Sequence, residues 1–175
     1  MILTDLEENL PRLRSVLAAN QCADPGGAVS VAPLDWCAPL PPGLIAPGRA
    51  GAAGDAGGDA GGEGHRTTWI LAADCVFWVG LFIPLLDTLR ALVRLVQGDD
   101  ASREERAADG GRSGPHVHVL LTVTSRLGRA QAFEAEAVAR GWRVEEMPLA
   151  DGSRSFYHTR LLRLSEASDA EVEVH

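Results

Sequence analysis

Cysteine is scarce in this chain. Cys22, Cys37 and Cys75 are the only three, with no Cys-x-x-Cys spacing and no histidine at metal-ligand spacing. An odd count outside any disulfide framework implies reduced thiols in the cytoplasm or nucleus, and no metal site is expected. The first residues, Met1 to Asn9, are acidic and lack the charged-then-apolar pattern of an export signal. Long apolar runs are missing as well. The longest is broken by Asp74, Asp87 and Arg90, so no segment is expected to span a bilayer. Cations are the minority: 16 basic against 24 acidic residues give a net charge of −8. A nucleic-acid binder needs a basic face to meet phosphates, so that class is not expected.

What is present bounds the rest. The 175 residues suffice for one domain with a single core, and 46% hydrophobic content fits a globular chain. The 19 glycines and 10 prolines imply that part of it does not fold. Residues 39–66 are dominated by Gly, Ala, Pro and Asp and carry no period. They are expected to be a flexible insertion, as is the charged stretch at 98–114. No strand precedes the glycines at 51–64 and no nucleotide-binding helix start follows, so a phosphate loop is rejected there. A polar tail at 166–175 is expected to fray.

The chain is organised around the stretch Thr68 to Trp78 and the apolar run after it. A continuous hydrophobic segment bounded by polar residues predicts a strand covered on both faces. It ends on Asp74, where ligands sit in open α/β sheets, although an acid there can equally cap the next helix. Leu81, Leu85, Leu86, Leu89, Leu92, Val93 and Val96 then form one helix face. Upstream, Met1 to Leu3 reads as a stub of strand. Leu10, Leu13, Val16 and Leu17 recur at helical spacing, with Asn9 and Pro11 as the start. Residues 28–32 read as a short strand. Downstream, Val117 to Val123 is a buried strand, followed by a helix with Ala130, Phe133, Ala137 and Val138 inward. Gly141 stops that helix in a left-handed cap. Trp142 to Met147 and Tyr157 to Leu164 close the chain as an antiparallel pair. Strands alternating with helices predict an α/β sheet, mostly parallel, finishing antiparallel.

Ala72-Ala73-Asp74-Cys75-Val76-Phe77 resembles the A-A-D-x-x-Y/F signature of the seven-β-strand protein-lysine methyltransferases. The resemblance extends over Ile2-Leu3-Thr4-Asp5-Leu6, Leu34-Asp35-Trp36, Ser125-Arg126 and Ala139-Arg140-Gly141-Trp142. It implies a class I methyltransferase (Rossmann-like) sheet with an antiparallel C-terminal strand pair, built from residues 1–165. It also implies S-adenosylmethionine as cofactor and a lysine-bearing protein as substrate. Asp5 would bind the ribose hydroxyls of the cofactor, because a carboxylate accepts two protons at once. Trp36 would border the adenine. Asp74 and Phe77 would stand near the methyl donor and the incoming lysine, Asp74 to orient or deprotonate the ammonium and Phe77 as an apolar wall. A tyrosine is frequent at position 77 in that family, so Phe77 gives up a hydroxyl. Ser125 and Arg126 are given no catalytic role.

The family's first strand and its Gly-rich turn have no counterpart here, so the sheet is expected to be incomplete at the N-terminus. Two expectations follow: a methyltransferase that begins further upstream, or a catalytically inactive remnant of the fold that binds protein. No membrane, nucleic acid or second copy of the chain is expected as a partner. An unrelated nucleotide-binding oxidoreductase is opposed by the antiparallel finish.

Overall fold

A computed structural model describes residues 1–20, 29–45, 67–98, 116–124, 128–148 and 159–166. Most of the two expected insertions and of the polar tail lies outside these residues, as do Ser125 and Arg126. The chain divides into two compact units, Met1–Arg66 and Thr67–His175, and both are of mixed α/β character.

In the first unit, β1 (Ile2–Asp5) is followed by a single 3₁₀ turn and α1 (Leu10–Ala19), then β2 (Ser30–Pro33). Asn9 stands at the N-cap position of α1 with its side chain bonded to Asp5 instead of to the helix, and a proline sits in the first turn, where the missing N–H has no intrahelical partner to lose. Leu10 is fully buried while Val16 is exposed, so the inward stripe runs through positions 10, 13 and 17. β1 and β2 pair in parallel, Asp5 opposite Pro33.

The second unit holds β3 (Thr67–Ala73), α2 (Phe82–Gln97), β4 (His116–Thr124), α3 (Arg129–Ala139), β5 (Trp142–Met147) and β6 (Thr159–Glu166). Its sheet has the order β3-β4-β6-β5. β3 runs parallel to β4, whereas β6 pairs antiparallel with both β4 and β5. Three strands therefore share one direction, and the last strand of the chain is inserted between two of them in the opposite sense.

The helices cover one face of this sheet. Side chains alternate across a strand, and Val119, Leu121 and Val123 of β4 are buried together with Leu162 and Leu164 of β6. Against them lie Leu85, Leu86, Leu89 and Val93 of α2 and Phe133 and Ala137 of α3. Phe82 meets Phe133 edge to face, with ring centroids 5.4 Å apart, the arrangement that ring quadrupoles favour. Gly141 adopts φ +76° immediately after α3, where a side chain would be strained. It lets the chain turn straight into β5. Trp142, the first residue of β5, is buried with the Arg90 guanidinium 5.1 Å from its ring centroid.

The opposite face is bare at β3. Trp69 is 55% exposed and Leu71 70%. A strand buried on both faces was the expectation for this hydrophobic run, and the structure corrects it. Helices α2 and α3 both pack on the face carrying Val119 and Leu121, while Trp69 and Leu71 point the other way. Trp69 stacks on His118 of β4 at 4.5 Å, the one aromatic partner that the bare face supplies among the described residues. Among the described residues β3 also pairs with β4 alone, and β1 with β2 alone.

Among the described residues, no helix is long and apolar enough to cross a membrane.

Candidate functional site

Asp5 ends β1. Its Oδ1 accepts hydrogen bonds from the backbone N–H of Leu6 at 2.7 Å and from Asn9 Nδ2 at 2.9 Å. It therefore fastens the turn between β1 and α1 through a local side-chain-to-backbone bond and a bond to the Asn9 side chain. One carboxylate oxygen carries both bonds, and the side chain is half-exposed. The ladder continues past the strand ends, where Leu34 N–H donates to the Asp5 carbonyl at 2.8 Å.

Trp36 follows on the next turn. Asp35 Oδ1 accepts from Cys37 N–H at 2.8 Å and the Asp35 carbonyl accepts from Ala38 N–H at 3.2 Å. These two bonds make an Asx turn that holds Trp36, half-buried, at its apex. Because β1 and β2 are parallel and in register, Asp5 and the Leu34–Trp36 segment lie at the same carboxyl end of one small sheet. A ribose-binding carboxylate and an adenine-side indole would need that juxtaposition.

In the second unit Asp74 follows β3 with φ +54°, the one non-glycine residue at positive φ among those described. Asp tolerates the left-handed region better than most side chains. Its amide donates to the Thr122 carbonyl at 3.2 Å and to Thr122 Oγ1 at 3.3 Å. The left-handed kink turns the chain out of the sheet, and the carboxylate is left exposed to solvent. Val76, next but one, is buried and anchors the loop. The Phe77 carbonyl accepts a hydrogen bond from the Arg129 guanidinium at the start of α3, while the Phe77 ring stands 50% exposed. Thus the loop at the carboxyl end of β3 is held to Thr122 of the neighbouring parallel strand β4 and to Arg129 of α3. Loops in that position carry the ligand sites of open α/β sheets.

Thr122, Arg129 and the left-handed backbone of Asp74 were not singled out from the sequence. Thr122 is 48 residues from Asp74 and Arg129 is 52 from Phe77, and no local pattern marks such pairs. An acid closing a hydrophobic strand could have signalled the kink, since Asp and Asn are the residues that accept it. Among the described residues no group of three His, Cys, Asp or Glu side chains could hold a metal ion.

In the first unit the half-exposed carboxylate of Asp5 and the indole of Trp36 are groups that would suit a ribose and a purine, and in the second unit, taken by itself, the carboxylate of Asp74 would suit a cation. No glycine-lined backbone cradle for the methionine part of S-adenosylmethionine occurs among the described residues.

No protein-family model matches this chain, and a search of curated proteins returns no match.

Proposed function

We propose that the chain is an S-adenosylmethionine-dependent protein-lysine N-methyltransferase of class I architecture. The observation that carries this reading is the strand order. An antiparallel last strand sits between β4 and β5, and Asp74 leaves the sheet at the carboxyl end of β3. Dinucleotide-binding dehydrogenases lack that antiparallel insertion. When bound, the cofactor would supply a methyl group activated on a sulfonium.

The chain's own residues would divide the remaining work. Asp5 would accept the ribose hydroxyl protons and Trp36 would cover the purine. Asp74, held by Thr122 in a fixed backbone geometry, would pair with the substrate ammonium and accept its proton, directly or through water, because only a neutral amine has the lone pair to attack. Phe77 would flank the aliphatic stem of the lysine and keep water from the amine.

The test is methyl transfer from isotopically labelled S-adenosylmethionine to lysine-containing proteins, read by locating the label in peptides. All 16 basic residues of the chain are arginine, so label found on a lysine can come only from the substrate. Label on lysine, lost with Asp74→Asn, supports the proposal. No cofactor binding by calorimetry and no transfer would overturn it.

A second reading rests on the edges of β1 and β3, unpaired among the described residues, and on the exposed Trp69 and Leu71. A protein that keeps the outline of the fold and binds another protein, without catalysis, would also present them. Cofactor binding separates the two.

A further inference from the structure

Three consecutive large apolar side chains, Phe77, Trp78 and Val79, are 50%, 67% and 60% exposed. They do not belong to a loose segment. Val76 before them and Phe82 after them are buried in the core. The Phe77 carbonyl is held by Arg129, and Leu81 N–H donates to the Trp78 carbonyl at 3.0 Å, closing a 3₁₀ turn. The Trp78 indole folds back over Gly80, where an added Cβ would lie 3.2 Å from Nε1. The loop is therefore fastened at both ends and in the middle while its bulky apolar groups face water. Hydrophobic burial would draw such groups inward unless something covers them, and exposed tryptophans are frequent anchors of binding surfaces.

Charge at the loop narrows what can cover it. Asp74 supplies one anion at its start, and Arg129 supplies one cation at Phe77. A polybasic segment laid along Phe77–Val79 would meet the Arg129 guanidinium. An acidic one would meet Asp74 and the net charge of −8. A single cation beside Asp74 followed by uncharged apolar groups meets neither penalty.

We propose that Phe77, Trp78 and Val79 form the docking surface for the polypeptide next to the target lysine, and that they select lysines with bulky apolar neighbours. This rests on the methyltransferase reading for the identity of the partner, and its test is independent of turnover. Fluorescence anisotropy would compare the full chain's affinity for three labelled peptides, identical except that the central lysine is flanked by leucine and phenylalanine, by serine, or by arginine. The apolar-flanked peptide is expected to bind at least tenfold more tightly than the other two. Trp78→Ala should collapse that difference. Gly80→Ala, which displaces the indole without removing it, should reduce it part of the way. Equal affinities, or a preference that survives Trp78→Ala, overturn the proposal. So does a concentration-dependent dimer abolished by Trp78→Ala, which would assign the surface to a second copy of the chain. If the affinity pattern holds and no peptide is methylated, the docking surface stands and the catalytic reading fails.

Discussion

The amide of Asp74 is shared between the carbonyl oxygen and the hydroxyl of Thr122, at 3.2 and 3.3 Å. Through this pairing the carboxyl end of one parallel strand sets the backbone angle of the acid that ends its neighbour. The side chain is then presented by the sheet rather than by a mobile loop, the arrangement that a catalytic or binding carboxylate requires.

Asp74→Asn should leave the fold intact and abolish methyl transfer. Asparagine accepts positive φ as readily as aspartate, so the change removes charge and leaves the kink. A loss of about 10²–10⁴-fold in rate is expected for a proton-accepting group. Asp74→Val should instead lower stability, because a β-branched residue is strained at φ +54°. Thermal denaturation of both variants alongside the transfer assay separates the two effects. Equal turnover in Asp74→Asn would remove Asp74 from the site.

Asp5→Asn and Asp5→Ala should differ. Asparagine keeps an oxygen to accept from Leu6 N–H and Asn9, so the turn into α1 survives, and only the capacity to take two hydroxyl protons is lost. Alanine loses both, at about 1 kcal/mol for a lost hydrogen bond in the turn. Calorimetric titration with S-adenosylmethionine should show weaker binding in both variants, with a lower melting temperature in the alanine variant alone. Undiminished affinity in both would leave Asp5 a turn-holding residue and nothing more.

Phe133→Ala should destabilise the second unit by about 3–5 kcal/mol, the usual cost of emptying a buried aromatic site. Phe133 is fully buried and is the edge-to-face partner of Phe82, so its loss separates α2 from α3. Urea denaturation followed by circular dichroism measures it. A cost under 1 kcal/mol would mean that the two helices close over the gap.

Acid should weaken the outer edge of the sheet. Arg160 of β6 bonds Glu134 of α3 and, at 2.7 Å, Glu146 of β5. The hydrogen bond from Arg160 holds the Glu146 carboxyl below its ordinary range, and the same bond raises the Arg160 guanidinium. A carboxyl whose folded pKa is depressed adds stability above the ordinary carboxylate range. That stability fades as pH falls through the lowered folded value, while the guanidinium stays charged throughout. Glu146→Gln should therefore flatten the acid limb of stability against pH. At neutral pH it should cost less than about 1 kcal/mol, the range for exposed pairs. An unchanged acid limb would show that the pair contributes nothing.

Much of the architecture was legible in residue order because the signals are local. Asn9 with Pro11 marked the start of α1, the apolar stripe from Leu85 to Val93 marked α2, and Gly141 marked the end of α3. In each case the structure has the element where periodicity and capping put it. Of the candidate residues, Asp5 and Trp36 come to one sheet end and Asp74 and Phe77 to another, each on the loop or strand end expected of it. The expectations that failed concern cover: Val138, expected inward with Ala137, is 60% exposed, and β3 is packed on one face instead of two. The run from Thr68 to Trp78 is apolar throughout, and such a run reads the same whether one face of a strand is packed or both are.

The sequence by itself determined where backbone turns helical or extended, because helix and strand periods and caps act within a few residues. It also determined that the chain carries excess negative charge and an acid at the end of its most hydrophobic strand. Only the tertiary structure decided that β6 enters between β4 and β5, that Trp69 and Leu71 remain uncovered, and that Thr122 and Arg129 brace the Asp74 loop. Those relations join residues of different elements, as far as 52 positions apart. They follow from which surfaces can be buried together, and short-range propensity carries no record of that.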